Sequence, residues 1–158
     1  TLPGDPYPGY HAMAVTACMG HGDAKIVAEL PAAFDPSKIL FVGLRNWERG
    51  EIKARQHQYG IKHLTPEEVA ADSDALRAWL KSCGASKVVV HFDMDVLDPA
   101  EIVAAVGTDP DGMKIEAVIR VINDIAAEKE LVGLTVAEPM PRTAIRLRDM
   151  LGRLPLLE

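Results

Sequence analysis

Three short apolar runs, each followed by polar residues, restrict the fold of this chain more than any other feature. They cover residues 39–44, 88–92 and 131–136, and a further short strand is possible at residues 59–63. Apart from His91 and Thr135 the runs are continuously apolar, which is typical of strands that are covered on both faces and are therefore parallel. Helical stretches separate them, so the order of elements predicts an α/β fold with a mostly parallel sheet.

The segments between the strands carry helical signals. Thr65, Pro66 and Glu68 form the start signal of a helix that we predict to run to Gly84. Apolar residues recur at helical spacing over residues 113–128, which predicts a helix whose apolar stripe packs against the sheet. Shorter helices are predicted at residues 11–19, 48–57 and 142–151.

Composition limits the class of protein. The chain has 158 residues, 48% of them hydrophobic and 25% charged, which is enough apolar material for a single α/β domain over residues 1–158. The net charge of −6 argues against a nucleic-acid binder, because such proteins have a basic surface. Cys18 and Cys83 are too few for a disulfide framework and indicate a cytoplasmic compartment. No apolar run reaches the length of a membrane span, so we expect no membrane partner.

The polar residues after the three strands are expected to meet at one edge of the sheet, because ligands of open parallel sheets bind outside the carboxyl ends of the strands. They are Arg45 and Asn46 after the first strand, Asp93 and Asp95 after the second, and Glu138 after the third. Asp93 and Asp95 are two residues apart, so in an extended chain their side chains share one face. Two such carboxylates repel each other unless a cation binds between them, and Mn²⁺ or Mg²⁺ prefers these oxygen ligands.

Other interpretations of the DMDVLDP segment remain open. Asp93 and Asp95 are equally compatible with capping backbone amides at a strand-to-loop turn, and Asp98 before Pro99 is typical of a turn. An EF-hand loop is excluded, because its sixth and twelfth positions, counted from Asp93, are Asp98 and Ala104 instead of Gly and Glu. An apolar strand that ends in DxDxV also matches an aspartyl-phosphate phosphatase, in which Asp93 would be the nucleophile and Asp95 the acid/base.

The segment FDMDVLDP resembles the C-terminal metal motif of the ureohydrolases, the family of the arginases and agmatinases, in which an apolar strand leads into xDxDxxDP. Further segments resemble family motifs in the same order along the chain. They are GYHAM at residues 9–13, GLRNWERGE at residues 43–51, VGTDP at residues 106–110 and VAEPMP at residues 136–141. The resemblance spans nearly the whole chain and is most specific at the metal motif.

The resemblance implies a three-layer α/β/α fold with a mostly parallel sheet, and hydrolysis of a C–N bond in a guanidino or amidine substrate with two Mn²⁺ ions. Asp93 would bridge the ions and Asp95 would bind one of them. His11 would pass a proton to the leaving amine, and Glu138 would pair with the cationic guanidinium. Family members form trimers and hexamers, which implies a homo-oligomer. Arg45 is interpreted as an ion-pair partner of the acidic residues.

The chain also departs from the family pattern. It lacks the GGDHS-like and DAHxD-like segments that supply most metal ligands in the first half of the family's proteins, and Asn46 stands where the family has Asp. With Asp93 and Asp95 alone a two-ion site is incomplete. Because the chain begins at Thr1, we expect it to be the C-terminal portion of a larger ureohydrolase-like domain. The alternative function is a catalytically silent family member or assembly module.

Overall fold

The chain divides into two structural units. The computed structural model describes residues 1–7, 9–140 and 144–157. Unit 1 contains Thr1–Leu40 and Trp47–Lys62, and unit 2 contains Phe41–Asn46 and His63–Glu158. That a single domain spans residues 1–158 stays a prediction.

Strands and helices alternate along the described part of the chain. The strands are β1 (Leu40–Val42), β2 (Lys62–Leu64), β3 (Lys87–Asp93) and β4 (Glu130–Ala137). The α-helices are α1 (Ala14–Cys18), α2 (Ala24–Glu29), α3 (Gly50–Tyr59), α4 (Asp74–Ser82), α5 (Ile115–Glu128) and α6 (Ala144–Leu151). Short 3-10 helices lie at Tyr10–Met13, Pro36–Lys38, Glu67–Val69 and Met94–Val96. The predicted α/β class is confirmed.

β3 and β4 form a parallel pair in unit 2, and their register ends with Asp93 opposite Ala137. The strands predicted at residues 88–92 and 131–136 are confirmed, and each extends by one residue at both ends. Helix α5 lies between them in the chain, as the connection of parallel neighbours requires. This pair therefore sets the position of the residues that follow each strand.

The two faces of the β3–β4 pair differ in burial. Phe92 is 4% exposed and Val90 on the same face is half-buried, whereas Val89 on the other face is 56% exposed. The continuously apolar sequence predicted cover on both faces, and for β3 this is wrong within the described residues. The open face is partly polar, because His91 Nδ1 and Thr135 Oγ1 share a hydrogen bond of 2.7 Å there.

β1 and β2 form a second strand pair and do not join β3 and β4 in the described residues. The one predicted sheet is therefore seen as two pairs. The strand predicted at residues 59–63 begins later, at Lys62, because α3 ends only at Tyr59 and is followed by Gly60, which has a left-handed φ of 72°. The strand predicted at residues 39–44 is shorter, because Gly43 has a left-handed φ of 81° that ends the extended run.

The helix predicted over residues 65–84 starts as expected and then stops. Thr65 N donates to Glu68 Oε2 at 2.7 Å, and Glu68 N donates to Thr65 Oγ1 at 3.4 Å, so the start signal acts as a capping box. The first helical turn nevertheless ends at Val69, and α4 begins only at Asp74. The prediction of one continuous helix was therefore wrong.

The interruption has a cause on α5. The sequence of this segment gives no sign of the interruption. It comes from Arg120, whose Nη2 donates to the carbonyls of Val69, Ala70 and Asp72. These carbonyls are the acceptors that a continuing helix would need for its own backbone bonds. Hydrogen bonds from a side chain of another helix thus take the place of the backbone hydrogen bonds of the next helical turn.

α5 supplies the core of unit 2. It was predicted over residues 113–128 and is confirmed over Ile115–Glu128. Its buried residues recur at helical spacing: Ala117, Val118, Ile119, Val121, Ile122 and Ile125. α4 contacts α5 and buries Leu76 and Leu80, each 1% exposed. Burial of each large aliphatic side chain stabilises the fold by about 1.5–3 kcal/mol.

The shorter helices lie close to their predicted positions. The predictions at residues 11–19 and 48–57 correspond to α1 with its preceding 3-10 helix and to α3. α6 begins at Ala144 inside the segment predicted at residues 142–151, of which residues 142 and 143 lie outside the described part. Helix α2 was not predicted. Within the described residues, no helix has the length and apolar character needed to cross a bilayer.

Candidate active site

The acidic residues lie where the β3–β4 pair ends. Asp93 is the last residue of β3 and is paired with Ala137, the last residue of β4. Glu138 follows Ala137, so it leaves the sheet at the same edge as Asp93. The carboxyl ends of two parallel strands therefore bring residues from distant parts of the chain together, at the edge where such sheets bind ligands.

Asp93 and Asp95 are neighbours for a different reason from the one that the sequence suggested. β3 ends at Asp93, and Met94–Val96 form a 3-10 helix, so the two residues do not share the face of one extended strand. Asp93 Oδ1 accepts a hydrogen bond from Asp95 N at 3.0 Å and caps this helix. Phe92 and Met94, 4% and 1% exposed, anchor the turn in the core.

The capping use of Asp93 is compatible with cation binding. The cap bond to Asp95 N involves Oδ1 of Asp93. An ionised carboxylate has two oxygens and about four lone-pair sites, so further oxygen sites remain for a ligand. The two interpretations that the sequence left open at Asp93 are therefore not exclusive.

The carboxyl group of Asp95 has a perturbed pKa. Burial raises the pKa of its carboxyl above the usual value, and the negative charges of Asp93 and Glu138 raise it further. A hydrogen bond of 3.0 Å from Gly107 N to Asp95 Oδ1 and the positive charge of Arg45 act in the opposite direction. The charges of Asp93 and Glu138 thus disfavour a negative charge on Asp95, which is a condition that a bound cation relieves.

Arg45 reaches the same edge, but it does not pair with an acidic side chain as predicted. Its Nη2 donates to the carbonyl oxygens of Asp95 at 3.0 Å and Asp109 at 2.7 Å, and its Nε donates to that of Pro110 at 2.9 Å. Among the described residues no ion pair of Arg45 with an acidic side chain is formed. The planar guanidinium instead matches backbone carbonyls of two segments, the turn at Asp95 and the loop at Asp109 and Pro110.

Asp98 forms the predicted turn and a further bond that the sequence did not indicate. Its Oδ1 accepts from Ala100 N at 2.9 Å, and its Oδ2 accepts from Lys114 Nζ at 2.5 Å. The hydrogen bond from Lys114, together with the bond from Ala100, lowers the pKa of Asp98. Asp98 N also donates to Met113 O at 2.9 Å, so the turn after the acidic pair is fastened to the start of α5.

Glu138 has an unusual backbone. Its φ of 60° lies in the left-handed region, which non-glycine residues seldom adopt. The chain beyond it is held in place, because Met140 N donates to Ala104 O at 2.7 Å. Outlying backbone conformations of this kind are concentrated at functional sites.

His11 lies in unit 1, in the 3-10 helix Tyr10–Met13, and its side chain is exposed. Tyr7 Oη and His11 Nε2 share a hydrogen bond of 2.8 Å, and the two rings meet edge to face with centroids 5.5 Å apart. Tyr7 was not predicted as a site residue, and its spacing of four residues from His11 is only a weak signal. The acidic residues belong to unit 2, so a role for His11 beside them stays a prediction.

The donor chemistry of the acidic pair suits a hard cation. Asp93 and Asp95 offer carboxylate oxygens, which Mn²⁺ and Mg²⁺ take as ligands. Across residues 1–7, 9–140 and 144–157, however, no group of three or more His, Cys, Asp or Glu side chains is placed to hold a metal ion. Within the described residues the pair thus offers two carboxylate ligands and no complete ligand set.

Comparison with known proteins relates the sequence to one family. A sequence model of the Arginase family matches residues 5–149. The arginase of Entamoeba histolytica is 26% identical over 141 residues, which are 87% of this chain and 47% of that protein. The chain thus spans about half the length of this relative.

Solved structures show the same likeness. A crystal structure of Entamoeba histolytica arginase in complex with L-ornithine has a TM-score of 0.77 at 23% identity, over 90% of this chain and 49% of that chain. Arginase from Bacillus cereus has a TM-score of 0.78 at 20% identity, over 98% of this chain and 57% of that chain. At these identities the likeness establishes the fold, which is part of an arginase-like α/β fold.

Proposed function

Because the chain belongs to the arginase family, whose sequence model matches residues 5–149, we propose that the intact protein hydrolyses a C–N bond of a guanidino or amidine substrate and releases urea or a related product. The observation that carries the proposal is the position of Asp93, Asp95 and Glu138 at one carboxyl edge of the β3–β4 pair. Both an arginase-type and an agmatinase-type substrate are compatible with it. The Entamoeba relative was crystallised with L-ornithine, which supports a small cationic substrate.

We propose that the intact protein binds two Mn²⁺ ions as its cofactor. Asp93 would bind both ions and Asp95 one of them, while the remaining ligands would come from other parts of the protein. The effect of the Asp93 and Glu138 charges on Asp95 supports this use, since a cation offsets it. Bound ions would supply Lewis acidity, which brings the pKa of water close to neutrality.

Glu138 and His11 would handle the substrate itself. The Glu138 carboxylate would hold the guanidinium by charge-assisted hydrogen bonds, each worth about 1.5–3 kcal/mol. His11 would pass a proton to the leaving amine, and the Tyr7 hydroxyl, 2.8 Å from Nε2, would orient its ring. These roles do not require Arg45 to touch the substrate.

We further propose that the intact protein is a homo-oligomer, either a trimer or a hexamer, and that it is located in the cytoplasm. Support for the compartment comes from Cys18 and Cys83, which are free thiols. The net charge of −6 favours a cationic small molecule over nucleic acid as the partner. Light scattering on the full-length protein would determine the oligomeric state.

The test is metal content and urea release by the full-length protein. The substrates should be guanidino compounds that differ at the distal end, with an amino-acid group, an amine or a carboxylate. Asp93→Asn is the decisive variant, because Asn keeps an oxygen that accepts from Asp95 N but removes the charge. We expect Mn²⁺-dependent activity to fall by more than about 100-fold with the fold intact.

Asp35→Asn is the matched control. Asp35 also caps a 3-10 helix, Pro36–Lys38, and its Oδ1 accepts from Ser37 N at 2.9 Å, but it does not follow a strand of the β3–β4 pair. Its variant should therefore keep full activity. Unchanged activity in Asp93→Asn would contradict the proposed role of Asp93.

A catalytically silent family member or assembly module is the second candidate, and the partial ligand set of the described residues favours it. A full-length protein that neither binds Mn²⁺ nor releases urea, yet forms a defined oligomer, would identify this function. The phosphatase interpretation is not retained, because the Arginase family model covers the DMDVLDP segment.

A further inference from the structure

Arg45 makes an unusual set of bonds to the backbone of two segments, the turn at Asp95 and the loop that contains Asp109 and Pro110. Its guanidinium binds the carbonyl oxygens of Asp95, Asp109 and Pro110 at 2.7–3.0 Å, and the last two residues lie 64 and 65 positions away in the chain. None of these acceptors is a side chain. The residue therefore fixes backbone positions instead of neutralising a particular acid.

The segment 107–110 also contacts the carboxylate of Asp95. Gly107 N donates to Asp95 Oδ1 at 3.0 Å. A Cβ at position 107 would lie 2.5 Å from Asp95 Oδ2, so the loop approaches the carboxylate more closely than any side chain permits. Asp95 is thus joined to the segment 107–110 by its main chain through Arg45 and by its side chain through Gly107.

Gly43 explains how Arg45 comes to point at this loop. It ends β1 with a φ of 81°, and a Cβ there would lie 2.4 Å from Val96 Cγ2 and 2.7 Å from Met113 Sδ. The chain after β1 therefore passes directly against the turn that carries Asp95. Arg45 follows two residues later and reaches the three carbonyls from there.

We propose that Arg45 is a positioning residue of the metal site: by tying the Asp95 backbone to the segment 107–110, it holds the Asp95 carboxylate in the place where it receives the cation. The inference rests on the proposed function, because it concerns the same site. Arg45 acts through Asp95 and Gly107 and touches neither substrate nor ion. Lysine cannot replace it, because one ammonium group cannot reproduce the planar fork with its separate Nε and Nη2 donors.

The experiment measures the affinity of the full-length protein for Mn²⁺ by electron paramagnetic resonance of the free ion, together with the thermal midpoint of each variant. Arg45→Lys keeps the charge and should weaken Mn²⁺ binding about 10–100-fold, as loss of a supporting partner of a metal ligand does. At saturating Mn²⁺ its kcat should recover, and its KM for the guanidino substrate should stay unchanged.

Arg120→Lys is the matched control. Arg120 also binds three carbonyls, those of Val69, Ala70 and Asp72, but they do not belong to the loop around Asp95. Its variant should lose thermal stability and keep the wild-type affinity for Mn²⁺. An equal loss of affinity in both variants would show that Arg45 is merely structural and would overturn the inference.

Gly107→Ala provides an independent test that leaves Arg45 in place. The added methyl group should displace the Asp95 carboxylate and lower Mn²⁺ affinity, whether or not Arg45→Lys folds. Wild-type affinity in either Arg45→Lys or Gly107→Ala would overturn the inference while the proposed function stands. Absence of Mn²⁺ binding by the wild-type protein would instead overturn the proposed function and this role with it.

Discussion

Replacement of Gly43 by alanine should destabilise unit 2 strongly, and the structure gives the size of the effect. A left-handed φ costs a non-glycine residue about 1–2 kcal/mol. The added Cβ would lie 2.4 Å from Val96 Cγ2 and 2.7 Å from Met113 Sδ, and such overpacking costs about 1–3 kcal/mol more. We therefore expect a total loss of about 2–5 kcal/mol in the free energy of unfolding.

Gly84→Ala separates the two contributions. Gly84 lies in the same unit and has a φ of 70°, but no atom lies within 4 Å of its added Cβ. Only the backbone contribution of about 1–2 kcal/mol applies to this variant. The difference between the two variants, about 1–3 kcal/mol, measures how closely the chain after β1 approaches the turn at Val96.

Urea unfolding followed by circular dichroism measures both variants against the wild-type protein, and a change of 1 kcal/mol corresponds to a shift of about 2–4 °C in the thermal midpoint for a chain of this size. Gly43→Ala should also weaken Mn²⁺ binding, because it displaces the chain that carries Arg45, whereas Gly84→Ala should not. Equal unfolding free energies for the two variants, within about 0.5 kcal/mol, would refute the reasoning.

Three further predictions follow from the same structure. Glu138→Ala should raise KM for a guanidino substrate about 10–100-fold, which steady-state kinetics measures. Glu138→Gly should have a higher thermal midpoint than Glu138→Ala in a melting curve, because glycine accepts the φ of 60° without strain. The pKa of Asp98 is lowered in the folded protein by Lys114, so its contribution to stability is present above the carboxyl pKa of the unfolded chain, about 3.9, and is lost as pH falls through the folded pKa. The thermal midpoints of the wild-type protein and Asp98→Asn should therefore differ at pH 7 and converge on acidification; a constant difference would contradict this. Ile122→Ala should lower the free energy of unfolding by about 2–5 kcal/mol, because this side chain on α5 is only 4% exposed. A loss below about 1 kcal/mol in urea unfolding would show that the site collapses or is less well packed.

Elements that depend on local patterns were predictable from the sequence. The apolar stripe of α5 and the apolar runs of β3 and β4 each contain the information for their own structure, so their bounds agree within one or two residues. The helix over residues 65–84 failed because its interruption is caused by Arg120, about 50 residues further along the chain. No pattern inside the segment records that partner.

The site shows the same division. It could be inferred that Asp93 and Glu138 leave the sheet at the same edge, because parallel neighbours have their carboxyl ends on one side of the sheet. The turn at Asp95 could not, since DMDV reads equally well as an extended strand or as a capped 3-10 helix. The bonds of Arg45 to distant carbonyls carry no sequence signal, because any loop residue can supply a carbonyl.

The cap at Asp93 has a consequence for the order in which the protein matures. The bond from Asp95 N and the buried anchors Phe92 and Met94 belong to the polypeptide alone, so the turn can form as the chain folds, before any ion arrives. Loading with metal would then be a late step onto a preorganised scaffold, unlike the coupled folding and binding of a zinc finger. If the proposed function holds, a chelator should accordingly remove Mn²⁺ reversibly, and the metal-free protein should keep its helical circular dichroism and bind the ion again without refolding.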